Sequence, residues 1–164
     1  MMKVGVPSET KAQESRVGLT PRSVQELTKD NHIVLIQNNA GIGAGFSNSD
    51  YENSGAKIVN SADDIFNDSE MIIKVKEPQM NEVEMLKENQ ILFTYLHLSA
   101  APQLTKALID SKSICIAYET VTDQNNKLPL LAPMSAVAGR MSIQAGAYSL
   151  EKHKGGSGLL LGGA

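Results

Sequence analysis

Six short runs rich in Ile, Val, Leu and Met recur along the chain, at residues 3–6, 33–37, 57–59, 71–75, 91–95 and 113–117. Each has the length of a strand and is too short for a helix. Helical patterns lie between several of them. Residues 21–30 open with Thr20 as N-cap and Pro21 at the first helical position, then place Val24 and Leu27 on one face. Residues 61–67 begin with Ser61 followed by Asp63 and Asp64, the acidic first turn a helix dipole favours. Residues 102–110 carry Leu104, Leu108 and Ile109 at helical spacing. Strands alternating with helices of this length specify an α/β fold, a Rossmann-like parallel sheet with helices on both faces. Nothing repeats at a solenoid period.

After the evident turn Asp123-Gln-Asn-Asn-Lys127 the character changes. Residues 133–154 read as one long helix dotted with small side chains, among them Ala136, Gly139, Ala145 and Gly146. Small residues let a neighbour approach closely, so this helix is expected to pack against something sizeable. Lys152, His153 and Lys154 suit its C-terminus, Gly155-Gly156 suits its stop, and residues 157–161 are expected to start a strand. The organisation expected is one domain over residues 1–130. Residues 131–164 are then a connecting helix and the start of a further domain.

At 41% hydrophobic the chain can bury a core, and with 4% aromatic residues and no Trp that core must be aliphatic. A formal charge of −3 without any Lys/Arg block argues against nucleic acid as partner. The single cysteine, Cys115, lies in an apolar run and reads as a small core residue. One thiol allows no internal disulfide, which fits a reducing cytoplasm. The start Met1-Met-Lys-Val-Gly-Val-Pro7 reads as a strand rather than a leader, and no stretch approaches the ~18 apolar residues needed to span a bilayer.

Two segments carry the candidate chemistry. Lys74-Val-Lys-Glu-Pro78 and Thr94-Tyr-Leu-His-Leu98 each sit at the C-terminal end of an apolar run. Parallel sheets place ligands beyond that edge. Lys76 there is as readily a solvated cation as a ligand, and Glu77 is a possible partner for Lys74 or Lys76. His97 is either a satisfied strand-end histidine or a general acid/base, since imidazole exchanges protons near neutral pH. Arg16 precedes a well-capped helix and is either surface charge or a bidentate carboxylate clamp. Together the three suit a small carboxylate with a proton to move. Gly41-Ile-Gly-Ala-Gly45 fails the dinucleotide fingerprint because Phe46 stands at the sixth position, and it reads as a glycine-rich turn. The glycines of residues 155–163 fail it as well, and no P-loop is present. His32, His97 and His153 lie far apart without supporting ligands, so no metal is expected.

In order and at family spacing, these segments resemble the N-terminal part of bacterial L-alanine dehydrogenase. The resemblance runs through Val4-Gly-Val-Pro-Ser-Glu-Thr-Lys11, Arg16-Val-Gly-Leu-Thr-Pro21, Lys74-Val-Lys-Glu-Pro78, Leu92-Phe-Thr-Tyr-Leu-His-Leu98, Ala117-Tyr-Glu-Thr120 and Leu130-Leu-Ala-Pro-Met-Ser135. It implies that Arg16 and Lys76 hold the substrate, that His97 is the catalytic acid/base, and that Tyr95 and Met134 line the pocket. It implies further that Ser135 approaches the nicotinamide of NAD, most of whose site lies outside these residues. The implied reaction is reversible NAD-dependent oxidative deamination of L-alanine to pyruvate and ammonium, in a cytoplasmic homo-oligomer, a hexamer in the family. On this resemblance the chain is a fragment, expected to be inactive alone. Rival readings are a fragment of the related NAD(P) transhydrogenase alpha-subunit, which usually lacks the His-Leu pair and the Lys-Glu-Pro sequence, and a non-catalytic module for small carboxylates.

Overall fold

The structure, a computed structural model, describes residues 1–163 and divides into two compact units, residues 1–118 and 119–164. Six strands, β1 (Lys3–Val6), β2 (Ile33–Gln37), β3 (Lys57–Val59), β4 (Met71–Ile73), β5 (Ile91–Thr94) and β6 (Ile114–Ala117), form the sheet of the first unit. All pairings are parallel, in the order β3-β2-β1-β4-β5-β6. The chain thus builds outward from β1 in one direction, returns, and builds outward from β4 in the other. This is the order of doubly wound dinucleotide-type sheets, and the reversal between β1 and β4 is its topological switch point, where the following loops diverge and leave a crevice.

Helices cover both faces: α1 (Pro21–Lys29), α2 (Asn48–Asn53), α3 (Ala62–Asp68), α4 (Met80–Val83) and α5 (Pro102–Ser111). Strand alternation divides the core accordingly. Val4, Val6, Val34, Ile36 and Ile73 join Val24 of α1 and Tyr51 of α2 in one cluster. Leu35, Ile72 and Leu92 join Ile65 and Phe66 of α3, Val83 of α4 and Leu104 and Leu108 of α5 in the other. Each fully buried aliphatic or aromatic side chain contributes about 1.5–3 kcal/mol. Gly5 lets α3 approach β1, since a Cβ on it would lie 2.3 Å from the Ser69 hydroxyl oxygen and 2.8 Å from an Ile65 methyl.

The helix starts follow the expected chemistry. Thr20 accepts from the Ser23 N–H ahead of α1, and Ser61 forms a reciprocal capping box with Asp64 at α3. The short helices α2 and α4 carry no periodic signal and were not anticipated. Ser47 caps α2 through a capping box with Asp50. Strand β4 is shorter than expected, ending at Ile73, because β1 ends at Val6 and its pairing with β4 stops at Gly5–Ile72. At the far edge Ile114 and Ile116 of β6 stay exposed on one face, while Cys115 packs half-buried against the other.

The second unit carries α6 (Ala132–Leu150), on which Val137, Met141, Ile143 and Tyr148 are exposed. The helix is shorter than expected. Glu151 is extended, and residues Lys152–Lys154 form a separate 3-10 turn ended by Gly155 at φ +85°. The strand expected at residues 157–161 is not there, since the described residues of this unit contain no strand for it to pair with.

Candidate functional site

Where β1 and β4 part, three buried charges tie their loops together. Lys74, 1% exposed, sets its Nζ 2.8 Å from Glu82 Oε1 and 3.4 Å from Glu9 Oε2. Glu82 also accepts from the Thr10 hydroxyl at 3.1 Å and from the Gln79 N–H at 2.7 Å. Glu9 accepts from the N–H groups of Val75 (2.6 Å) and Lys76 (3.3 Å). Burial lifts the Glu9 carboxyl above its ordinary value against the opposing pull of Lys74 and these two donors. Period-two alternation would put Lys74 and Lys76 on one face if the strand continued that far, but β4 ends at Ile73. Lys74 turns inward to the two glutamates, and Lys76, half-buried, begins the loop.

Arg16 lies on the loop after β1. Its Nε donates to Glu14 Oε1 at 2.8 Å, a terminal nitrogen donates to Oε2 at 2.7 Å, and its backbone N–H donates to Oε1 at 2.9 Å. Those hydrogen bonds hold the Glu14 carboxyl down at about 2, with the positive charge of Lys76 adding to the effect. Arg16, on the loop after β1, thus grips one carboxylate with both side-chain and backbone donors. Glu14, Arg16 and Glu9 line a cleft of about 170 Å³ with Ser8, Ser15, Asn39, Ala40 and Gly43. It is far smaller than the roughly 300–1,000 Å³ of sites for drug-sized ligands. Gly43 permits this wall, since a Cβ on it would stand 2.7 Å from the Ser15 carbonyl oxygen. The glycine-rich stretch is thus a 3-10 turn, Ile42–Ala44, packed against the Arg16 loop.

Beyond β5, Tyr95 and His97 stack with ring centroids 6.0 Å apart and planes 15° from parallel. Tyr118 meets Tyr95 edge-on at 5.0 Å and Phe93 at 4.3 Å. Burial pushes the Tyr118 hydroxyl well above its ordinary value. His97 is exposed at left-handed φ +51°, which projects it from the end of β5. Glu77 pairs with Lys11, not with Lys74 or Lys76. Burial pushes the Glu77 carboxyl up, but the Lys11 hydrogen bond and charge, with a further contribution from His97, hold it below the ordinary value.

The expected residues Arg16, Lys76, Tyr95 and His97 thus all lie at the carboxyl edge of one sheet. Met134 and Ser135 fall in the first turn of α6, in the second unit. Sequence reasoning gave no role to Glu9, Glu14, Glu82 or Tyr118, and offered Lys74 only Glu77 as a partner, whereas it pairs with Glu9 and Glu82. Glu9 lies three residues past the end of a strand, at what became the switch point. Among the described residues no cluster of His, Cys, Asp or Glu is arranged to hold a metal, and no helix is long and apolar enough to cross a membrane.

Residues 5–138 match the family model described as alanine dehydrogenase/PNT, N-terminal domain. The chain is 55% identical to the alanine dehydrogenase of Halomonas elongata over 162 residues, covering 99% of this chain and 44% of that protein. It is 50% identical to the alanine dehydrogenase of Mycobacterium tuberculosis over the same length and with the same coverage. A solved L-alanine dehydrogenase superposes with a TM-score of 0.86 at 52% identity, over 99% of this chain and 45% of that one. A transhydrogenase from Sinorhizobium meliloti gives 0.70 at 21% identity, over 75% of this chain and 35% of that one, a likeness of fold. The chain spans less than half the length of the curated relatives it matches.

Proposed function

This chain belongs to the alanine dehydrogenase/PNT N-terminal domain family, and from that premise we propose that it is the substrate-binding part of an NAD-dependent alanine dehydrogenase. The observation that carries the reading is the bidentate grip of Arg16 on the Glu14 carboxylate beside the switch point, with Lys76 on the loop after β4. A substrate carboxylate meets the same chemistry. Arg16 offers a planar fork and Lys76 a point charge, and together they fix the Cα of L-alanine or pyruvate in one orientation. His97, exposed past the end of β5, exchanges the amine or carbinolamine proton, with its ring braced by Tyr95. Tyr95 as a residue of the pocket lining rests on the family resemblance.

The described residues offer no loop for the pyrophosphate of NAD. Gly41–Gly45 is filled by its own packing, because a Cβ on Gly41 would stand 2.5 Å from the Tyr51 ring and one on Gly43 would meet Ser15. NAD binding is therefore assigned mainly to the part of the relatives that this chain does not span. Ser135 at the nicotinamide end and Met134 in the pocket lining rest on the family resemblance, as do a cytoplasmic location and a hexamer.

Titration of the isotopically labelled chain with pyruvate tests substrate binding. Resonances of the Arg16 and Lys76 loops shift on this reading, and those of β3 stay fixed. Shifts scattered away from both loops contradict it.

A further inference from the structure

We propose that Glu9 and Thr94 are positioning residues for Lys76, holding it by its peptide groups; the functional part of this proposal rests on the assignment of Lys76 to the substrate. The need for such a device comes from the topology. The β1–β4 ladder ends at Gly5–Ile72, so past Ile73 the chain keeps its β5 neighbour and loses its β1 neighbour. On the β5 side the ladder continues, with the Lys74 N–H on the Phe93 carbonyl at 3.1 Å and the Tyr95 N–H on the Val75 carbonyl at 3.3 Å. On the β1 side the Glu9 carboxylate replaces the lost strand by accepting from Val75 and Lys76 in succession.

Successive N–H groups of a regular strand point to opposite sides. One carboxylate can therefore take both only where the backbone bends, and Val75 and Lys76 are in bend conformation. The bend in turn sends the Lys76 carbonyl to the hydroxyl of Thr94, fully buried at the end of β5, which donates to it at 2.9 Å. Both peptide groups of Lys76 are thus bonded by side chains from the two flanking strand ends. Lys74 compensates the charge of Glu9, and Glu82 completes the pair. A buried charge assembly of this kind fixes geometry more than it adds stability. What it fixes here is where the Lys76 side chain leaves the sheet.

Two readouts separate the clamp from the site assignment. In the 164-residue chain, Glu9→Gln keeps the shape but turns one acceptor into a donor facing an N–H. Amide exchange at Val75 and Lys76 should speed up by about ten-fold or more while that of Ile72 and Leu92 is unchanged. Unchanged exchange at Val75 and Lys76 overturns the clamp itself. The second readout is kinetic, in a chimera whose residues matching this chain in the Halomonas elongata alanine dehydrogenase are replaced by it. Glu9→Gln and Thr94→Val should each raise the KM for L-alanine about ten-fold, Thr94→Ser should restore it to within about two-fold, and neither variant should have further effect in a Lys76→Ala background. Equal losses with and without Lys76 show that the two residues act on something else and overturn their positioning role. A Lys76→Ala chimera with unaltered kinetics removes the site assignment and the functional part of the proposal, whatever the exchange rates.

Discussion

Arg16 spreads its guanidinium across the carboxylate of Glu14, with two side-chain nitrogens on the two oxygens at 2.8 and 2.7 Å. The partner is only two residues upstream, so the fork is set by the local course of the loop rather than by a distant element. The geometry that holds Glu14 is therefore a working example of the carboxylate recognition proposed for the substrate.

Glu14 links this contact to pH. Its folded-state carboxyl is held at about 2 against an ordinary 4.5. A depressed carboxyl contributes stability that is complete above the ordinary value and is lost as pH falls toward the folded one. Thermal melts between pH 5 and 2 should therefore show a steeper loss for the native chain than for Glu14→Gln. Parallel curves for the two contradict the pairing.

Removal of either cation should weaken substrate binding. Arg16→Ala or Lys76→Ala deletes one charge-assisted contact, worth about 1.5–3 kcal/mol. Pyruvate titrations followed by NMR should show affinity reduced correspondingly for each variant. Equal affinity of the variants and the native chain removes both residues from the site.

Glu82 should matter to stability beyond its place in a four-residue helix. Glu82→Leu leaves the Lys74 ammonium buried against Glu9 alone, and breaking such a pair from one side costs about 3–5 kcal/mol. Urea denaturation measures it. A loss below about 1 kcal/mol, the scale of an exposed pair, contradicts the buried assignment.

His97 should be separable from the fold. Asn tolerates the left-handed backbone that His97 adopts at φ +51°. His97→Asn in the chimera should change stability by no more than about 0.5 kcal/mol and lower kcat about 10²–10⁴-fold. Activity that survives the substitution excludes His97 as the acid/base.

The fold was legible because it rests on repeated local signals. The apolar runs of β1, β2 and β3 have the bounds expected, and Thr20-Pro21 and Ser61 with Asp64 start their helices as capping chemistry requires. What escaped was set by tertiary contact. Lys74 and Lys76 look equivalent in the sequence, yet the end of the β1 ladder sends one into the core and leaves the other at the edge. Glu9 and Lys74 are far apart in the chain and meet only because the strand order reverses between β1 and β4. Residues 157–161 have the composition of a strand but no described strand beside them in their unit, and composition alone does not make a sheet. Of the candidate site, Lys76 and His97 were visible as chemistry at strand ends, Arg16 as a cation before a capped helix and Tyr95 only through the resemblance, whereas Glu9 and Glu14, which bond Lys76 and Arg16, were not.

The most direct test of the account is NADH formation from L-alanine and NAD by the chimera and by its Lys76→Ala variant. Turnover is expected in the first and a large loss of it in the second, with both proteins folded. A folded chimera that forms no NADH, or one indifferent to the loss of Lys76, contradicts it.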